Sequence, residues 1–149
     1  MANMIDEFRN TIESAAAQLA KISEEESQRT LGSGKWSKKE ILGHLIDSAA
    51  NNHQRFVRAQ LTPSLAFPAY EQERWVAVQR YREAAWNELC MLWKSYNLHL
   101  VHVTARIPEE SMDRSCSIGS GSPVTLRFLL TDYVAHLQHH LRQIFSSHT

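Results

Sequence analysis

Apolar residues recur at steps of three and four along nearly the whole chain, and little interrupts them: 149 residues contain only 5 glycines and 4 prolines. That spacing lines one face of an α-helix, and alternating strand-type runs are nearly absent. Ile5, Phe8, Ile12, Ala15, Ala16, Leu19 and Ile22 form a first stripe that predicts a helix from about Ile5 to Glu26, broken by Leu31-Gly32-Ser33-Gly34. Ser37-Lys38-Lys39-Glu40 has the pattern of a capping box and predicts a second helix to about Gln60, ended by Thr62-Pro63 and Phe67-Pro68. A third stripe runs from Tyr70 to Arg106. At 1.5 Å per residue it would reach roughly 55 Å, too long for so small a chain, so a break is expected near Tyr96-Asn97. A Ser/Gly-rich loop from Ile107-Pro108 to Ser122-Pro123 leads to Thr125, the expected N-cap of a last helix from Leu126 to about Ser147. Four amphipathic segments joined by turns and two longer crossings predict an all-α fold. The expected architecture is a four-helix bundle with long crossover connections, a single domain over residues 1–149.

Charge narrows the function. Lys+Arg and Asp+Glu number 16 each, and no basic run exceeds Lys38-Lys39. The electrostatic footprint of a nucleic-acid or anionic-membrane binder is therefore missing. Met1 to Glu7 lacks a basic segment followed by an apolar one, and no run of about 18 apolar residues occurs, so a cytoplasmic protein is expected. Cys90 and Cys116 fit no CxxC or disulfide framework and read as reduced thiols.

Eight histidines are the unusual feature of the composition. On the last helix, projected at about 100° per residue, Leu126, Leu130, Tyr133, Val134, Leu137, Leu141 and Ile144 form the inward stripe. His140 falls within it, His136 at its edge, and His139 nearly opposite. His136 and His140, at i and i+4, are close enough to share one metal ion. On the second helix His44 sits at the edge of the buried arc, on the flank of Ser48 and Asn52, while Asp47 turns outward. His44 is then the natural third ligand. Three imidazoles from two facing helices, with a position left for water or substrate, is the open arrangement of a catalytic site. Zinc, nickel, iron and manganese all suit it, zinc or nickel first. A plainer expectation is that histidines four apart satisfy one another or nearby backbone.

Two stretches resemble a known family. Trp36-Ser37-Lys38-Lys39-Glu40-Ile41-Leu42-Gly43-His44-Leu45-Ile46-Asp47-Ser48 and Asp132-Tyr133-Val134-Ala135-His136-Leu137-Gln138-His139-His140-Leu141-Arg142-Gln143-Ile144 are similar to the two signatures of the DinB superfamily of small four-helix-bundle proteins. Ser95-Tyr96-Asn97 and Arg106-Ile107-Pro108-Glu109-Glu110 fit between them. The resemblance implies a DinB-like bundle with a divalent metal bound by His44, His136 and His140. It also implies kinship with transferases and isomerases that use bacillithiol or mycothiol, and pairing as a homodimer. Trp75, Trp86 and Trp93 are candidates for the pairing face, although helical spacing favours the core for them. The fold does not choose the reaction.

The leading functional expectation is a metal-dependent enzyme in which the ion activates water or a low-molecular-weight thiol, for transfer to or hydrolysis of a small-molecule substrate. Ser48 and Asn52 are candidates for orienting substrate, with ordinary interhelical hydrogen bonds as the plainer expectation for both. Asp132 is a candidate outer partner of His136, with a solvated acidic residue as the plainer expectation. His99 is the fallback ligand, and His53, His102 and His148 read as surface or local packing. The alternative to an enzyme is a non-catalytic dimeric module that binds metal or a small ligand. A redox role for Cys116 lacks a resolving thiol.

Overall fold

The computed structural model describes residues 1–146, so His148 and the expected helix end at Ser147 lie outside the described residues. Four long helices dominate: α1 (Ala2–Leu19), α3 (Lys38–Ala59), α5 (Trp86–Thr104) and α6 (Leu126–Phe145), with short α2 (Glu24–Ser27) and α4 (Gln72–Gln79) in the connections. Helices α3 and α1 each pack against both α5 and α6, so α1 and α3 stand across the bundle from one another. The α1–α3 and α5–α6 connections therefore cross the bundle.

The expected stripes are the buried ones. Helix α6 buries Leu126, Leu130, Tyr133, Val134, Leu137, Leu141 and Ile144. Each fully buried Leu or Ile contributes roughly 1.5–3 kcal/mol, which outweighs the weak helix propensity of the β-branched members. The capping box of α3 is present in both directions: Ser37 Oγ accepts from the Glu40 amide and Glu40 Oε1 accepts from the Ser37 amide, at 3.2 and 3.0 Å. At the other end Arg114 donates to the carbonyls of Ala59, Gln60 and Thr62, satisfying acceptors that the helix end leaves open.

Two boundaries differ from the expectation. Helix α1 stops at Leu19 rather than Glu26, because Ser23 and Glu26 form a second capping pair: Ser23 Oγ accepts from the Glu26 amide at 3.0 Å and starts α2. The long third stripe breaks at Arg80 to Ala85, not at Tyr96-Asn97. Arg80 adopts a left-handed φ of 53°. On either side of it, Gln79 Nε2 and Tyr81 Oη donate to the same oxygen, Asp47 Oδ1, at 2.7 and 2.6 Å. Asp47 is thus buried at 2% exposure, not turned outward as its angular position suggests. Tyr81 lies flat on Gly43, where an added Cβ would come within 2.2 Å of the ring. Lys39, also buried, fixes the same corner by donating to Ala84 O at 2.6 Å and pairing with Glu24 at 2.9 Å. Asn97, the expected breaking point, stays helical because its amide donates to Trp93 O while its oxygen accepts from Tyr133 Oη.

The bundle also carries a small sheet. Strands β1 (Ser64–Phe67), β2 (Ser115–Ile118) and β3 (Val124–Thr125) run in the order β1-β2-β3, parallel then antiparallel. Leu65 pairs with Cys116, and both side chains enter the core. Cys116 is therefore not in an open loop; its thiol is buried and its pKa is raised by that burial, the reverse of a reactive cysteine. Trp86 and Trp93 are core residues, which removes them from any pairing face, and only Trp75 of the three is exposed, at 37%. No helix among the described residues is long and apolar enough to cross a membrane.

Candidate metal centre

Helices α3 and α6 are neighbours, and their facing edges bring His44, His136 and His140 together. His44 is fully buried, and the other two are half-buried. The Nε2 atoms converge: His44 to His136 is 3.2 Å and His140 to His136 is 3.1 Å. Two nitrogens each about 2.0–2.1 Å from one ion in tetrahedral geometry would lie about 3.4 Å apart, so the cluster is close to ligand spacing. The rings meet nearly edge-on, at 76° to 79°.

Electrostatics keeps these imidazoles neutral. Burial, reinforced by His140 and His136, pushes His44 down to about 3. Burial and then His140 push His136 down to about 4, with Asp132 pulling the other way. His140 is lowered chiefly by burial, against its bond to Gln143. That bond selects a tautomer: Gln143 Oε1 accepts from His140 Nδ1 at 2.8 Å, which leaves the Nε2 lone pair facing the cluster. His44 Nδ1 is buried with no partner, and the Trp36 ring covers His44 at 5.1 Å. A buried polar nitrogen without a partner costs about 1–3 kcal/mol. Three convergent, neutral nitrogen donors fit a borderline divalent ion, so the residues present suit the metal that the sequence pattern implies.

The other expected residues fall into place around this cluster. Ser48 and Asn52 line a cavity of about 250 Å³ together with Tyr70, Asp132, Tyr133 and His136. Among the described residues neither bonds another helix: Asn52 Nδ2 donates to Ser48 O at 2.8 Å, within α3, and the Ser48 hydroxyl is a partner of Tyr70 in the connection before α4. Asp132 is exposed and makes no hydrogen bond to His136 among the described residues, which matches the plainer expectation for it. His99 is not brought to the cluster. It stands instead beside His53 and His102, with ring centroids 5.4 and 6.1 Å away, and His53 bonds Tyr96 Oη. His139 is exposed, as its projection requires. A second cavity, about 430 Å³, opens on the His140 side between Trp36, Lys35, Glu73 and Gln143. Sequence reasoning missed Trp36 and Gln143 as partners of the cluster. Gln143 was findable, since a residue three positions after an inward histidine lies beside it on the helix. Trp36 lies before the helix begins, and no periodicity applies to it.

Comparison with known proteins agrees with this picture. An Oceanobacillus iheyensis protein provisionally named a metal-dependent hydrolase is 26% identical over 123 residues, covering 83% of this chain and 70% of its own. A Bacillus cereus protein with the same provisional name is 23% identical over 147 residues, covering 96% and 84%. Among solved structures, YfiT from Bacillus subtilis, described as having an unusual four-helix bundle topology, superposes with a TM-score of 0.82 at 19% identity, covering 94% of this chain and 83% of its own. A mycothiol-dependent maleylpyruvate isomerase gives 0.80 at 13% identity and covers 99% of this chain but 62% of its own. These structural likenesses establish the fold. The family model of the DinB superfamily matches residues 4–144, nearly the whole length, and the chain belongs to that superfamily.

Proposed function

We propose that His44, His136 and His140 ligate one divalent ion, zinc or nickel first, and that the protein is a metal-dependent enzyme acting on a small molecule by hydrolysis or by transfer of a low-molecular-weight thiol. The observation that carries this reading is the convergence of three neutral imidazoles beside a cavity, with His136 Nε2 3.2 and 3.1 Å from those of His44 and His140 and all three ligand atoms within 4.8 Å of one another. A divalent ion held there would supply Lewis-acid activation of water or thiol at neutral pH. The chain's own residues do the rest. Gln143 holds the His140 tautomer, Trp36 shields His44 from water, and Ser48 and Asn52 present polar groups to the cavity on the His136 side. Three protein donors leave coordination positions open, which favours chemistry over a purely structural ion. The provisional hydrolase names of the relatives support the hydrolytic form of the reading, and the thiol-dependent isomerase supports the transfer form. A cytoplasmic homodimer belongs to the same proposal, with sedimentation as its test.

The direct test is elemental mass spectrometry on protein purified without chelator or nickel affinity resin, beside His44→Ala and His136→Ala. About one ion per chain, lost in both variants, is the expected result. No ion after zinc, nickel, iron and manganese have each been offered would overturn the proposal.

A further inference from the structure

Three residues of α3 continue the line that starts at His44: Ser48, Asn52 and Arg55 follow at helical spacing and line the cavity that ends at His136. Arg55 differs from the chain's other part-buried arginines. Arg114 is tied to three carbonyls, and Arg127 to Glu109 and Asp113. Arg55 makes no hydrogen bond or ion pair with any described residue, and its Nε is buried without a partner. Its position is nevertheless set, because the guanidinium carbon stands 5.7 Å from the centre of the Phe67 ring, held there by cation–π attraction from strand β1. The Cα–Cβ bond of a helical residue tilts toward the helix N-terminus, so Arg55 leans back along α3 toward the histidines.

Arg55 is half-buried, and a partly desolvated cation with nothing paired to it carries a cost that falls when an anion arrives. We propose that Arg55 binds the carboxylate of a small monoanionic substrate whose opposite end faces the His44/His136/His140 cluster. For the position of the reacting end, the inference rests on the metal-centre reading above. The planar guanidinium offers two parallel N–H donors, which match a carboxylate. Asp132 occupies the same cavity wall as His136, so the lining carries one positive and one negative charge. Arg55 is the one cation of that lining, enough to pair one carboxylate, and Asp132 disfavours a second negative charge in the metal-free cavity. The cavity, about 250 Å³, lies below the usual range of about 300–1,000 Å³ for drug-sized ligands, which restricts the acid to a small one. Arg55 is on this account a specificity-determining residue. It does not touch the reacting atoms.

The test uses the metal-free protein, so that it does not depend on the metal-centre reading. Backbone amide NMR signals are followed while propionate, its neutral isostere propionamide, or inorganic phosphate is added. Propionate is expected to shift Ser48, Asn52 and Tyr133 saturably, and propionamide to leave them unmoved. Arg55→Ala should weaken propionate binding at least tenfold. Arg55→Lys, which keeps charge but not the planar fork, should fall between, and Asp132→Asn should tighten binding a few-fold. Equal binding by wild type and Arg55→Ala, equal response to propionamide, no propionate binding at all, or tighter binding of phosphate than of propionate would each overturn the inference. The metal content of the wild-type protein, measured beside its propionate binding, separates the two proposals. A chain that binds propionate through Arg55 but holds no metal sinks only the metal centre, and one that holds metal without Arg55-dependent propionate binding sinks only this inference.

Discussion

His44 and Asp47 lie one helical turn apart on α3, and both are buried, yet they are used in opposite ways. Asp47 spends one oxygen on two donors, Tyr81 and Gln79, that hold the corner between α4 and α5. His44 directs Nε2 at another imidazole and leaves Nδ1 without a partner. Asp47 works as a structural anchor because hydrogen bonds from its own chain offset part of its desolvation. Each keeps one buried atom without a partner, Asp47 Oδ2 and His44 Nδ1, but the bonded oxygen of Asp47 meets two donors, whereas Nε2 of His44 faces two more imidazoles. A buried polar group whose partners come from the chain holds the fold together, whereas convergent lone pairs call for something the chain does not supply.

That contrast can be broken by substitution. The largest effect is expected from His136→Ala: loss of essentially all bound metal, read by elemental analysis, with the metal-free bundle still folded by circular dichroism. Asp47→Ala should do the reverse. Tyr81 Oη keeps Gln79 Oε1 as an acceptor, but loss of the two bonds to Asp47 Oδ1 should cost about 1–3 kcal/mol in urea unfolding while metal content stays near that of the wild type. Metal loss in Asp47→Ala equal to that in His136→Ala would erase the distinction. Gln143→Leu frees the His140 tautomer and should weaken metal affinity about 10-fold or more, measured by competition with a chromogenic chelator.

A smaller effect sharpens the anchor side. Burial raises the Asp47 carboxyl above its ordinary 3.8, against the bonds from Tyr81 and Gln79. The folded chain therefore keeps a proton that the unfolded chain releases. The stability this group contributes is fully present below 3.8 and is lost as pH rises through the raised folded value. Asp47→Asn keeps an acceptor for Tyr81 but has no charge to bury. Its stability relative to wild type should thus increase from about pH 4 to about pH 7, and a difference that is flat across that interval would refute the burial argument. The smallest effect is expected at His139→Ala. That side chain is exposed, and metal retention should be nearly intact.

The helices were legible because their signals are local. Apolar residues at steps of three and four, the Ser37/Glu40 capping box and Thr125 before α6 all act within a turn or two of themselves, and each stands where the sequence puts it. The inward pair His136 and His140, and the choice of both over His139, followed from the same angular arithmetic. That arithmetic failed for Asp47, whose angle on α3 points away from the bundle. It had no means of knowing that α4 and Tyr81 return to cover that side. The break at Arg80 was illegible for the same reason, since its cause is a carboxylate more than thirty residues earlier in the chain. Strands β1 and β2 are too short to show a period, and they pair only because the two connections meet at one end of the bundle.

By itself, then, the sequence determined the helical bundle, its membership of the DinB superfamily and the inward-facing edges of α3 and α6 that carry His44, His136 and His140, since periodicity, capping and motif are properties of neighbouring residues. Tertiary structure alone decided where the third stripe breaks, which buried polar groups are saturated, and that Arg55 shares a cavity with His136. Those outcomes depend on which side chains from distant segments exclude water from one another, and no local spacing encodes that.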